Sequence, residues 1–156
     1  MGATTKNPIR RMRPEEIDQV VSIEWDSFHR PWTSTYIRKL ITKQNSTPYV
    51  YEERGRVVGW TIYQIIRPTL LVLRLAVSPD ARRRGIGTRL VLSLQGKTLR
   101  SRSCRKISVP VAQCDLIPQC FFRKSGFIVT EVLSRAEIEE TYGYTTEDHY
   151  LFEWFR

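Results

Sequence analysis

Residues 70–87 constrain this chain more than any other stretch. Leu70-Leu71-Val72-Leu73-Arg74-Leu75-Ala76-Val77 is apolar except for one arginine, the pattern of a strand buried on both faces near the middle of a sheet. Ser78-Pro79-Asp80 stops it, since proline has no N–H to give to a ladder. Arg82, Arg83 and Arg84 then lead into Gly85-Ile86-Gly87. From there Ile86, Leu90 and Leu94 fall on one side and Arg89, Lys97 and Arg100 on another, which predicts an amphipathic helix over residues 85–102. A buried strand that turns directly into a helix needs helices to cover it, so the chain is committed to a layered α/β architecture.

The remaining segments fit that architecture. Residues 9–12 read as a short strand. Pro14-Glu15-Glu16 opens a helix, with Ile17, Val20, Val21, Glu24 and Trp25 at helical spacing. Pro31 interrupts it, and Thr33 or Ser34 can cap a second short helix through Tyr36, Ile37, Leu40 and Ile41. Residues 49–51 and 57–63 read as a β-hairpin around Gly55. A strand over residues 107–111, a short helix over 115–124 closed by Gly126, and strands over 127–133 and 149–154 complete the chain. A polar loop holding Tyr142, Gly143 and Tyr144 separates the last two strands. The order is β-α-α-β-β-β-α-β-α-β-β, and no linker or internal repeat divides it, so residues 1–156 are expected to form one domain. Trp25, Trp60 and Trp154 are expected in the core, as is Cys120; Trp32, beside Pro31 in a loop, is better placed to meet a ligand.

Composition excludes several classes. Cys104, Cys114 and Cys120 form no CxxC pair, and His29 and His149 lie far from them, so no metal site is expected and a reducing cytoplasm suits the odd cysteine count. No apolar run reaches the roughly 18 residues of a membrane span, and the arginines and acids after residue 6 lead us to expect no signal peptide. The net charge of +9 calls for a polyanion: nucleic acid, ribosome or a phosphate-rich cofactor.

The turn at residues 82–88 chooses among these. Amides at a helix N-terminus have no intrahelical acceptor and point outward beside the positive end of the dipole. Gly85 and Gly87 let a diphosphate approach the backbone, and the arginines add forked donors. No Gly-Lys-Ser/Thr follows, so this is not a nucleotide P-loop, and the third glycine of a dinucleotide fingerprint is missing.

Val77-Ser78-Pro79-Asp80 followed by Arg82-x-x-Gly85-x-Gly87 resembles the acetyl-CoA motif of the GCN5-related N-acetyltransferase (GNAT) superfamily. A second block agrees: Ile107-Ser108-Val109, then Asp115 through Phe121-Phe122 to Gly126-Phe127, resembles the superfamily's later strand and short helix. Phe28-His29-Arg30-Pro31-Trp32-Thr33 is similar to the first loop of the RimI-like protein N-terminal acetyltransferases. The resemblance covers residues 9–155. It implies a mixed, mostly antiparallel α/β (α+β) sheet of about seven strands, splayed centrally after Val77 and Val109 and flanked by about four helices. It also implies acetyl-CoA as co-substrate, with no metal, held by Leu75, Ala76, Val77, Arg82, Arg83, Arg84, Gly85, Ile86, Gly87, Thr88, Asp115 and Phe122. An N–H near residues 75–77 would stabilise the oxyanion. Pro31, Trp32, Tyr142 and Tyr144 would flank an acceptor peptide. The implied activity is direct acetyl transfer to a primary amine, foremost a protein or peptide N-terminus, the ribosome among its sources, with no DNA or membrane partner.

The chain departs from that branch at two chemical positions. The tyrosine that serves as general acid is Phe122, and the glutamate that serves as general base is Pro110; the family asparagine is Asp115. Proton removal would fall to Glu24, His29 or Tyr142 through water. A positioned acid or base is worth about 10²–10⁴ in rate, so its loss still leaves room for catalysis by positioning. Two other readings compete: a GNAT domain that keeps CoA and has lost catalysis, and a basic RNA- or ribosome-binding module using the nine basic residues between Arg82 and Lys106.

Overall fold

A computed structural model describes residues 6–142 and 145–156. Seven strands and five α-helices follow in the order β1 (Ile9–Arg11), α1 (Ile17–Ser27), α2 (Ser34–Ile41), β2 (Ser46–Glu53), β3 (Arg56–Ile66), β4 (Thr69–Val77), α3 (Ile86–Arg100), β5 (Lys106–Ala112), α4 (Leu116–Lys124), β6 (Ile128–Leu133), α5 (Arg135–Tyr142) and β7 (His149–Phe155). The strands form one mostly antiparallel sheet in the order β1-β2-β3-β4-β5-β7-β6. The expected mixed α/β fold is therefore present. No described helix is long and apolar enough to cross a membrane. The contacts gather into two compact units, one from Met1–Tyr63 and Arg74–Ser93, the other from Gln64–Leu73 and Leu94–Arg156, with β3, β4 and α3 contributing to both.

In the first unit the β2–β3 turn places Arg54 and Gly55 at φ 51° and 77°, two successive left-handed residues whose twist suits a tight hairpin. The unit's part of β3 is buried from Val57 to Tyr63 without the alternation of a half-exposed strand. Helix α1 buries Ile17, Val20, Ile23 and Glu24, and α2, capped by the Thr33 hydroxyl accepting from the Tyr36 amide at 3.2 Å, buries Ile37 and Leu40. Trp25 is a correction: it is 70% exposed, because α1 turns its Ile17–Val20–Ile23–Glu24 side inward and leaves residue 25 outside.

In the second unit β4 and β5 run parallel in the register Thr69 with Lys106 to Leu71 with Ser108. On its other edge β5 pairs antiparallel with β7 along its whole length, from Lys106 with Phe155 to Ala112 with His149. The β4–β5 register stops at Leu71 and Ser108, short of the Val77 and Val109 that the resemblance implied. Phe122 is the hub of the core, with ring centroids 5.0, 5.2 and 6.2 Å from Phe121, Phe127 and Phe152. Gly126, at φ 89°, closes α4 as its sequence predicts. Cys120 is another correction, since it lies on the exposed side of that helix.

Helix α5 is the element the sequence reading misses. Ser134 and Glu137 form a capping box: the Ser134 amide and hydroxyl both donate to Glu137 Oε2 at 2.7 Å, and the Glu137 amide reaches back to Ser134 Oγ at 3.4 Å. Among the described side chains of this helix only Ile138 is buried, so its apolar periodicity is almost silent.

Gly59 is the tightest point of the first unit. A Cβ there would lie 3.2 Å from Ile86 Cγ2 and 3.4 Å from the Ala76 carbonyl, so the missing side chain sets how closely the start of α3 approaches β3 and β4. Gly59→Val is expected to destabilise the fold by about 1–3 kcal/mol through overpacking, read as a lower denaturant midpoint at unchanged m-value.

Candidate functional site

The loop before α3 has the backbone its sequence called for. Arg83 sits at φ 61° and Gly85 at φ 80°, so left-handed residues alternate with ordinary ones and turn successive amides toward one side. The first amide of α3 to find an acceptor is that of Arg89, which donates to the Gly85 carbonyl at 3.0 Å. The amides of Ile86, Gly87 and Thr88 are thus the orphan donors of the helix start. Beneath them Ala81, Ile86 and Leu90 pack with Tyr51 and Val58, and Leu75 and Val77 of β4 pack against that cluster. A polar rim stands on an apolar footing, so the amides are held before any ligand arrives.

The three arginines divide their labour. Arg82 is structural: its Nε donates to the Val77 carbonyl at 2.9 Å and its Nη2 to Ser27 Oγ at 3.0 Å, tying the end of β4 to α1. Arg84 donates to Glu53 at 2.9 Å. Arg83 is exposed and has no partner among the described residues, which leaves it the one loop guanidinium free to meet an anion.

Ahead of this loop, β4 carries a buried ion pair. Arg74 Nε lies 3.2 Å from both Glu24 carboxylate oxygens and its Nη2 lies 3.1 Å from Oε2. Nη2 also donates to the Arg30 carbonyl at 3.1 Å, and the guanidinium stacks 3.8 Å from the Phe28 ring and 4.4 Å from that of Trp32. Glu24 is wholly buried and also accepts the Trp32 amide at 3.0 Å. Burial lowers the Arg74 pKa, and the Glu24 charge and hydrogen bonds oppose that shift. Trp32 packs edge-on to Trp60, 6.1 Å away, whose buried indole N–H has no partner among the described residues.

The sequence-derived candidates therefore fall into distinct situations. Glu24 has both carboxylate oxygens engaged, which suits an anchor better than a proton acceptor. Pro31 and Trp32 are partly buried, Trp32 directly beside Arg74. His29 is exposed on the same loop, without a partner among the described residues. In the second unit Phe122 is a core aromatic, Pro110 stands opposite Leu151 in the β5–β7 ladder, and Asp115 precedes α4. Tyr142 lines a cavity of that unit, and burial pushes its hydroxyl up to about 12. Tyr144 lies outside the described residues. Sequence reasoning missed Arg74 as a site residue; the signal was there, because a lone arginine in a buried strand demands a buried partner.

The sequence model of the Acetyltransferase (GNAT) family matches residues 17–127. A Bacillus subtilis (strain 168) protein, whose assignment as a ribosomal protein bS18-alanine N-acetyltransferase is provisional, is 28% identical over 123 residues, which cover 78% of this chain and 81% of that protein. Among solved structures, the ribosomal-protein-S18-alanine N-acetyltransferase of Escherichia coli superposes with a TM-score of 0.79 at 17% identity, over 94% of this chain and 92% of that one. NAA60 of Arabidopsis thaliana in complex with acetyl-CoA gives 0.79 at 16% identity, over 95% and 98%.

The Arg74–Glu24 pair gives a direct test. Arg74→Ala leaves a buried carboxylate without its counterion and is expected to cost about 3–5 kcal/mol of stability, whereas removing both charges together with Glu24→Leu and Arg74→Leu costs far less. A double-mutant cycle by chemical denaturation reads the coupling; additive losses would show that the pair does not act as a unit.

Proposed function

The chain belongs to the acetyltransferase (GNAT) family, and we propose that it moves an acetyl group from acetyl-CoA to the N-terminal amine of a protein or peptide by direct attack. The observation that carries this reading is the loop at residues 82–88: two left-handed residues, unpaired helix-start amides and the free Arg83 guanidinium above an apolar core. That donor set suits the diphosphate of the co-substrate, with Arg82, Arg84 and Gly85 shaping the loop and Ile86, Gly87 and Thr88 supplying amides. The backbone of Leu75, Ala76 and Val77 leads directly into it and is the stretch assigned to the pantetheine arm. Acetyl-CoA brings a thioester already activated for attack by an amine. The relatives named for ribosomal-protein alanine support a protein N-terminus as acceptor, a ribosomal one included.

The chain's own residues then have a limited share in moving protons. Pro110 and Phe122 carry no ionisable group, Glu24 is locked to Arg74, and Tyr142, pushed up to about 12, stays protonated at neutral pH. His29 remains as an exposed imidazole that can relay a proton through water. The acceptor must therefore arrive neutral. With an α-amine pKa near 8 and a lysine pKa near 10.4, roughly two hundred times more of the first is neutral at pH 7, which makes an N-terminus the fitting acceptor.

Calorimetric titration with acetyl-CoA, followed by thiol release with peptides bearing free N-termini, tests the reading; absence of acetyl-CoA binding overturns it. Gly85→Glu is expected to abolish that binding while the protein stays folded, because space is open around Gly85 but φ 80° and the added carboxylate both oppose the ligand. Arg83→Ala is expected to weaken binding about tenfold at unchanged stability, the worth of one charge-assisted contact. The pH profile of kcat/KM is expected to rise to a plateau through the acceptor's own amine pKa, near 8 for an α-amine, with no falling limb near neutrality from an enzyme acid.

A further inference from the structure

The basic tract between Arg82 and Lys106 is divided by the fold. Arg82, Arg83, Arg84 and Arg89 belong to the first unit, in the loop and helix start already described, while Lys97, Arg100, Arg102, Arg105 and Lys106 belong to the second. There the fold gathers further cations around the second group. The Arg105 amide donates to the Pro68 carbonyl at 2.7 Å, which brings Arg67 of the β3–β4 turn alongside. The Arg156 amide donates to the Arg105 carbonyl at 3.1 Å, and its Nη1 donates to the Ser101 carbonyl at 2.6 Å. Four separate pieces of the second unit therefore meet: the β3–β4 turn, the last turn of α3, the loop at residues 101–105 and the end of β7.

Side-chain charge at this place is uncompensated. Arg67, Arg100, Arg102 and Arg105 are all exposed and have no side-chain partner among the described residues. Residues 64–73 and 94–114 hold no aspartate or glutamate, and the carboxylate that β7 brings, Glu153, is closed on Lys106 at 2.7 Å. Arg156 shows the contrast, since it spends its Nη1 on the open carbonyls that follow α3. Like charges gathered without counterions oppose folding slightly and attract a polyanion.

An aromatic ring completes the surface. The basic tract contains no aromatic residue of its own, but Phe155 stands opposite Lys106 in the β5–β7 ladder. It is 51% exposed, and Lys106 Nζ lies 5.9 Å from its ring centre. Arginine forks meet phosphates, and an exposed ring gives a base a face to stack on. Together they match a chain in which phosphates alternate with flat bases. An acidic polypeptide offers no base for the ring, and the headgroups of a bilayer offer none either.

We propose that this surface binds single-stranded RNA, with Arg67, Arg100, Arg102 and Arg105 on phosphates and Phe155 against a base. The choice of RNA over DNA rests on the proposed activity, whose acceptors include ribosomal proteins and are therefore met in company with RNA. The choice of a single strand rests on Phe155.

Fluorescence anisotropy of the full chain with a labelled short oligouridine, repeated across a salt series, tests the proposal. Arg100→Ala, Arg102→Ala and Arg105→Ala combined are expected to weaken binding at least about tenfold. They should also flatten the log–log salt slope by about two, as three lost phosphate contacts on a single strand require. Arg11→Ala, Lys39→Ala and Lys43→Ala combined, an equal change of net charge in the first unit, should leave the slope as it is. Phe155→Leu should weaken binding about tenfold at unchanged slope, the worth of one stacked base. Circular dichroism shows that all three variants fold. Equal losses in the two charge-matched triples, or equal affinity for oligouridine, polyglutamate and phosphatidylserine vesicles, overturns the proposal. Calorimetry with acetyl-CoA separates it from the proposed activity: RNA binding in a protein that takes no acetyl-CoA overturns the activity and keeps the surface, and acetyl-CoA binding without RNA binding does the reverse.

Discussion

The contact between Glu24 and Arg74 is the one that the first unit cannot lose. A carboxylate with no solvent exposure carries a desolvation penalty of several kcal/mol unless its lone pairs are filled, and here Arg74 and the Trp32 amide fill them. Three pieces of chain meet at that point: α1 through Glu24, the loop at residues 28–32 through its Arg30 carbonyl and its Phe28 and Trp32 rings, and β4 through Arg74. Thr61 adds a fourth, its hydroxyl donating to the Arg74 carbonyl at 2.7 Å. The strand that leads to the phosphate-type loop is thereby fixed to the loop expected to meet the acceptor. A purely apolar contact would hold them together without setting an angle; a bidentate guanidinium between two aromatic faces sets one.

The anion loop depends on burial more than on its visible ion pairs. Arg56–Asp80 and Arg84–Glu53 are largely exposed, and pairs of that kind contribute little each. What fixes the loop is the plug of Ala81, Ile86 and Leu90 in the core, the close approach permitted by Gly59, and Arg82 reaching back to Val77 and Ser27. The sequence presents three adjacent arginines as equals. The structure makes one a brace, one a surface pair and one a free cation, because backbone direction at Arg83 differs from that of its neighbours.

Legibility in the sequence followed how strongly each element expresses its own periodicity. Residues 70–77 and the helix after Gly85 were plain, since an apolar run and a 3.6-residue repeat leave no rival reading. Helix α5 was not, because one buried residue, Ile138, cannot raise a periodic signal, and the capping box at Ser134 and Glu137 was its only mark. Trp25 and Cys120 show the opposite error: residue type suggests burial, but helix phase decides it, and both sit on the wet side of their helices. Phe122 was legible as a departure from the family's acid; its place among Phe121, Phe127 and Phe152 explains in packing terms what the substitution gained. Pairings between distant residues, Glu24 with Arg74 and Lys106 with Glu153, stayed invisible, since nothing local in a strand names its partner.

Absence of the usual acid and base moves selectivity from the enzyme's proton-handling groups to the acceptor. A positioned base would make a lysine amine usable by taking its proton, and would so blur the distinction between side-chain and terminal amines. Without one, the neutral fraction of each amine decides, and the roughly two-hundredfold gap between an α-amine and a lysine at pH 7 becomes a specificity the protein need not build. What the protein must still build is a hold on the acceptor chain, because attack by a scarce neutral amine profits only when that amine is kept in place.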